Sequence, residues 1–165
     1  SCEMHPAVID FVSTHRPAFA GDVLDVGGRD VNGSPAALFA DAESYTTVDL
    51  VDGPGVDIVG DVCNLGLVEV ADVALCLEVL EHAPDWPAVV AACADALRTG
   101  GTLIVTCAGP GRAPHSASDG GALRPGEHYR NVSADELFEA LVSAGLTVDV
   151  CQEVGSDTQA TARRL

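Results

Sequence analysis

Residues 72–77, DVALCL, are apolar at every position but the first, and the run is closed by the acidic Glu78. The run is too short for an ordinary helix, and a strand apolar on both faces is stable only inside a sheet covered on both sides. Parallel sheets meet that condition, because their crossover connections lay helices over both faces. This one segment therefore predicts an α/β architecture with strands and helices in alternation.

The rest of the chain follows that alternation. Val8, Ile9, Phe11 and Val12 recur at near-helical spacing over 5–15, and Pro17 bars extension. A strand is expected over 22–26. Ser34-Pro35 then reads as an N-cap with proline in the first helical position, predicting a helix over 35–40. Strands are expected over 45–50 and 56–59. After the 72–77 strand, Asp85 caps an alanine-rich helix running to Leu97 and stopped by Gly100-Gly101. A fifth strand covers 102–107, and residues 108–132, rich in Gly and Pro, form a long loop. Ser133 and Glu136 have capping-box spacing for a helix ending at Gly145. Strands over 146–154 and 157–163, split by Gly155-Ser156, make a hairpin. The expected fold is a three-layer, doubly wound, mostly parallel sheet of about seven strands with a C-terminal antiparallel hairpin.

With 165 residues and 47% apolar content, the chain can bury one core, so a single domain over 1–165 is expected. No apolar run approaches the roughly 20 residues that span a bilayer. No leader pattern of a basic region followed by an apolar core is visible, and these features point to a soluble, cytoplasmic protein with no membrane partner. The cysteines at 2, 63, 76, 93, 107 and 151 are scattered without the CxxC spacing of a zinc site. They read as small buried hydrophobes, and no metal site is expected.

The formal charge is −17, and all eight basic residues are arginine. Without lysine, Schiff-base chemistry, a pyridoxal phosphate anchor and a P-loop are excluded. The negative field also disfavours nucleic acid, whose phosphates need clustered basic residues.

In a sheet of this kind the ligand crevice lies beyond the carboxyl ends of the strands, where the strand order reverses. The residues closing the first four strands are Asp25, Asp49, Asp61 and Glu78. Any one of them alone reads more readily as a turn former or helix cap; four in succession suggest a crevice ringed by carboxylates. Such a crevice repels a dinucleotide or a nucleoside triphosphate. It suits a ligand carrying a sulfonium, an ammonium, ribose hydroxyls and an adenine amine, and S-adenosylmethionine carries all four. An NAD-dependent enzyme would require Gly-x-Gly-x-x-Gly after the first strand. Here Arg29 and Asp30 stand where small residues belong, and Asn32-Gly33 supplies a tight turn one step later.

The ordered segments VLDVGGRDVNGS, YTTVDL, VGDVCNL, LCLEVLEHAPDW and LRTGGTLIVTCAG resemble the class I, seven-stranded, S-adenosylmethionine-dependent methyltransferases. The similarity is closest to the small-molecule branch with Glu-Val-Leu-Glu-His after the fourth strand. The resemblance implies that Asp25, Gly27 and Gly28 form the first turn beside the methionine end of the cofactor. Asp49, with Leu50 beside it, would accept the ribose hydroxyls, and Asp61 with the Val62 backbone would receive the adenine amine. Leu77 and Glu78 would hold the methionyl ammonium, with His82 near the sulfonium. Arg29 is open between the cofactor carboxylate, an anionic substrate and pairing with Asp30.

Methyl transfer asks the protein to align a nucleophile with the methyl–sulfur bond and to exclude water. A base is required only for a nucleophile that arrives protonated. His82, His128 and Tyr129 are the leading candidates, followed by His115 and Asp119 in the long loop. The Pro-Pro-aromatic motif of base-amine methyltransferases is absent after the fourth strand, as is a Pro-Cys nucleophile. These absences again point to a small-molecule acceptor. With no added substrate domain in the sequence, the acceptor pocket would come from the loop, the N-terminal helix or another subunit, which leaves a homodimer open. A catalytically silent S-adenosylmethionine-binding accessory subunit is the alternative reading.

Overall fold

The computed structural model describes residues 4–31 and 33–165, so Cys2 and the Asn32 half of the expected Asn32-Gly33 turn lie outside the described residues. Seven strands form one sheet in the order β3-β2-β1-β4-β5-β7-β6. They are β1 (Asp22–Val26), β2 (Ser44–Asp49), β3 (Ile58–Val59), β4 (Ala71–Leu77), β5 (Leu97–Ala108), β6 (Thr147–Val154) and β7 (Asp157–Arg163). The first five run parallel, and β7 pairs antiparallel with both β5 and β6. The doubly wound sheet with its terminal hairpin is thus present as expected.

Among the described residues three α-helices cover the sheet: α1 (Pro6–His15), α2 (Trp86–Ala96) and α3 (Ala134–Ser143). The His5 side chain accepts from the Ala7 N–H at the start of α1, and Pro6 occupies its first turn. The capping box at α3 is complete, with Ser133 and Glu136 each accepting from the other's backbone N–H. Asp85 stands at the N-cap of α2 but makes no side-chain cap bond.

Alternate side chains of the central strands feed two cores. Leu24, Val26, Ala74, Cys76, Leu103 and Val105 pack against α2 and α3 on one face. Val23, Val73, Leu75, Leu77 and Ile104 pack against Val8, Phe11 and Val12 of α1 on the other. Every β4 residue from Val73 to Cys76 is at most 1% exposed, so the strand that most constrained the fold is also its most buried.

The expected helix over 35–40 is instead a 3₁₀ helix, Pro35–Phe39. Ser34 caps it as anticipated, accepting from the Ala36 N–H. It ends early because the chain must enter β2 at Ser44, and such short connectors commonly adopt 3₁₀ form. The third strand is shorter than expected: the Asp57 carboxylate accepts from the Thr47 N–H at 2.8 Å, taking a donor that a longer ladder would use. The fifth strand is longer than expected, because Leu97 turns straight out of α2 into pairing with Ala71.

Candidate active site

The strand order reverses between β1 and β4, and a cleft of about 1100 Å³ opens at the carboxyl ends of the strands there. This exceeds the roughly 300–1,000 Å³ of an ordinary small-ligand pocket, so it can accommodate a cofactor and an acceptor together. Gly27 and Arg29 line it from the turn after β1, Asp49 and Leu50 from β2 and the residue beyond it, and Asp61 and Val62 from the turn after β3. Leu77, Glu78 and His82 line it from β4 and the turn beyond, while Arg112 and His115 come from the long loop.

The turn after β1 is shaped by close backbone approach. Gly27 has φ +74°, and a Cβ there would overlap the Val79 side chain; a Cβ on Gly28 would overlap the Asp25 carboxylate. Asp25 and Gly28 lie behind the cleft wall. Asp25 is 2% exposed and accepts from the Tyr45 hydroxyl at 2.6 Å. Burial pushes its pKa up to about 6, against the pull of that hydrogen bond. Asp25 thus supports the turn from beneath.

Asp49 is already oriented. One of its oxygens accepts from the Arg29 N–H at 3.1 Å and the other from the Val51 N–H at 3.0 Å. Each carboxylate oxygen retains capacity for a further donor from the cleft. Asp61 accepts from the Cys63 N–H at 2.9 Å and caps the 3₁₀ helix Val62–Asn64. Among the described residues Arg29 makes no ion pair, its aliphatic chain lies against Gly53, and Asp30 instead accepts from the Gly33 N–H.

Beyond β4 the chain turns sharply. Glu78 has φ +57°, a left-handed conformation that costs a non-glycine residue of order 1–3 kcal/mol and is concentrated at functional sites. Its carboxylate lies 3.5 Å from Arg112, which pairs more closely with Asp157 at 2.5 Å. Burial raises the Glu78 pKa, with Arg112 opposing.

Three residues on, Glu81 is fully buried, and among the described residues neither carboxylate oxygen has a hydrogen-bond partner. Burial, then the charge of Glu78, pushes its pKa up to about 8; the nearby Glu81 and Ala108 backbones moderate the shift without reaching hydrogen-bond geometry. His82 is held down to about 4, first by burial and then by His115. Its Nδ1 is buried and unpartnered, as are His128 Nε2 and the Tyr129 hydroxyl. The rings of His82, His115 and Tyr129 pack edge to face, with centroids 5.0–5.8 Å apart.

Of the proposed bases, His82 and His115 line the cleft, whereas His128 and Tyr129 are outside its lining and Tyr129 buttresses the two imidazoles. Asp119 is tied to Arg124 at 2.8 Å. Sequence reasoning missed Tyr45, Arg112 and Glu81. The signal for Glu81 was slight: an acidic residue between the apolar Val79-Leu80 and His82 marks a polar turn, without saying that its carboxyl would be buried. Of the cysteines, Cys76, Cys93 and Cys107 are buried as expected, Cys151 is half-buried, and Cys63 is exposed at the cleft rim.

A seven-stranded sheet in this order, with an acid-lined cleft at the reversal, is the class I, Rossmann-like methyltransferase fold. The chain belongs to the methyltransferase-domain family, whose model matches residues 6–150, and is an S-adenosylmethionine-dependent methyltransferase. It is 30% identical to a ubiquinone biosynthesis O-methyltransferase of Xanthomonas euvesicatoria, over 88% of this chain and 71% of that protein. A 1,6-didemethyltoxoflavin-N1-methyltransferase from Burkholderia thailandensis, solved with its acceptor and S-adenosylhomocysteine, superposes with TM-score 0.72 and 25% identity. That match covers 96% of this chain and 77% of the other. The [4+2]-cyclase SpnF shares the fold at TM-score 0.73 and 19% identity, over 96% and 80% of the two chains. Among the described residues no helix is long and apolar enough to cross a membrane.

Proposed function

We propose that the chain, as one domain over residues 1–165, transfers a methyl group from S-adenosylmethionine to a small molecule bound beneath the long loop. The observation that carries this reading is Asp49, whose two oxygens are aimed by the Arg29 and Val51 N–H groups at the rim of a cleft large enough for two molecules. The relatives support it. One is named for O-methylation in ubiquinone biosynthesis, and the other was solved with S-adenosylhomocysteine beside 1,6-didemethyltoxoflavin.

The bound cofactor supplies a methyl group already activated by its sulfonium. In this reading Asp49 accepts the ribose hydroxyls, with Leu50 against the nucleoside. Asp61 and the Val62 backbone receive the adenine amine. The Leu77 and Glu78 carbonyls take the methionyl ammonium, and Gly27 lets the chain approach the methionine end, its missing Cβ replaced by contact with Val79. His82 and His115 then face the acceptor. His82 is neutral at physiological pH, because burial holds its pKa near 4, so its ring presents a lone pair. The resemblance of the EVLEH turn to the small-molecule branch of the class supports this acceptor, as does the net charge of −17, which disfavours nucleic acid.

Calorimetry with S-adenosylmethionine and S-adenosylhomocysteine tests the reading. Both are expected to bind one per chain, and a folded protein that binds neither overturns it. Binding without release of S-adenosylhomocysteine across a broad acceptor screen would favour the accessory-subunit reading.

A further inference from the structure

We propose that Glu81, His82 and His115 form a site for a divalent cation of the zinc class, where the turn after β4 meets the long loop. One ligand atom from each residue lies within 4.8 Å of the others. Glu81 supplies a fully buried carboxyl group with neither oxygen bonded, and leaving buried polar atoms unpartnered is costly unless a ligand engages them.

The orientation of His115 sharpens the case. Its Nδ1 lies 3.2 Å from the Ala113 carbonyl, an acceptor only, so Nδ1–H donates there and Nε2 is left with its lone pair. That arrangement is how metal-binding histidines are commonly fixed. Nε2 faces Glu81 Oε1 at 3.9 Å, too far for a hydrogen bond. Two tetrahedral ligands each about 2.0–2.2 Å from one ion stand about 3.3–3.6 Å apart, so small side-chain adjustments bring this pair, and the His82 atom within 4.8 Å of both, onto one cation. His82, its Nδ1 also unpartnered, completes the set. Tyr129 holds both imidazoles edge to face.

The donor set selects the ion. Two imidazoles and one carboxylate suit zinc, cobalt or iron(II), whereas magnesium and calcium prefer an all-oxygen shell. Three protein ligands leave coordination positions open. Because His82 and His115 both line the cleft, those positions face the space assigned to the acceptor. This consequence rests on the proposed methyltransferase reading: the site would take an acceptor hydroxyl, lower its pKa and release its proton to solvent. The oxygen then forms the new bond to the methyl carbon, while the electrons of the broken carbon–sulfur bond stay on sulfur.

The test titrates chelator-stripped, tag-free protein with Co²⁺ followed by absorption, and with Zn²⁺ by competition against a chromogenic chelator, in the absence of cofactor and acceptor. One equivalent of each is expected, with visible Co²⁺ ligand-field bands. Affinity should fall at least tenfold in Glu81→Gln and in His115→Ala. His115→Ala alters a loop residue, so the test does not depend on whether a change at the fully buried Glu81 folds. Binding below half an equivalent, or binding unchanged in His115→Ala, overturns the proposal. S-adenosylhomocysteine affinity of the same metal-free samples reports separately on the cofactor pocket. Metal uptake without cofactor binding would retain this site and sink the proposed function, and the reverse result would do the opposite.

Discussion

At the amino-terminal edge of the sheet, Asp22 and Asp72 share Arg98 at 2.8 and 2.9 Å, and Ser44 adds a hydrogen bond to Asp22 at 2.6 Å. At the carboxyl-terminal edge, Glu78 and Glu81 stand in the same turn, with Arg112 3.5 Å from the first and no hydrogen-bond partner on the second. The Ser44 bond and Arg98 pull the Asp22 pKa below its ordinary value, whereas burial drives those of Glu78 and Glu81 upward. Residues of one kind are thus fully satisfied at one edge and left wanting at the other. The satisfied cluster ties β1, β4 and β5 together. The unsatisfied one keeps its lone pairs for something the chain does not itself contain.

The comparison can be broken by experiment. The largest effect is expected from Asp25→Asn. Asp25 ionises near pH 6 when folded, against about 3.9 in an unfolded chain, so between about pH 4 and 6 only the unfolded state releases its proton. The unfolded state therefore binds fewer protons, and this residue's contribution to stability falls as pH rises through that window. Urea unfolding of the variant and the parent from pH 4 to 7 should diverge by up to about 3 kcal/mol, the parent losing ground as pH rises. Parallel curves would mean that the carboxyl is not desolvated.

Asp49→Ala should weaken S-adenosylhomocysteine binding by about 2 kcal/mol, roughly thirtyfold, as expected for losing hydrogen bonds to a charged acceptor. Its melting temperature should barely change, and calorimetry reads the difference. Gly28→Ala would press a methyl group into the Asp25 carboxylate. A destabilisation of about 1–2 kcal/mol is expected from overpacking, together with weaker cofactor binding because the turn must shift. Unaltered denaturation would show that the turn tolerates a side chain. Arg98→Ala should do least: a small drop in melting temperature that added salt diminishes, with cofactor affinity intact, since the pair is partly exposed.

The fold was legible because its signals are local. The β4 run, the Ser133–Glu136 capping box and the Gly155-Ser156 turn each act over a few residues, and the structure bears them out. Where expectation and structure part, a contact outside the local run decides: the Asp57 carboxylate ends the β2–β3 ladder by binding the Thr47 N–H, and the Leu97 backbone leaves its helix to pair with that of Ala71. The site divides in the same way. Asp49, Asp61 and Glu78 could be placed at strand ends from spacing alone. That Asp25 would be buried beneath its turn required Tyr45, on the neighbouring strand, to offer its hydroxyl. The cluster at Glu81 was illegible because His115 joins it from a loop whose course no periodicity describes.

The position of β7 bears on how the chain assembles during synthesis. This strand follows β6 in sequence yet lies inside it, between β5 and β6. As the protein leaves the ribosome, the edge of β5 stays open until both arms of the hairpin have emerged, and β6 can only wait beside it. Translation arrested between Val154 and Asp157 would present a bare run of apolar strand to its surroundings. The hairpin is therefore the clasp of the nascent domain, the last part of the sheet that can close.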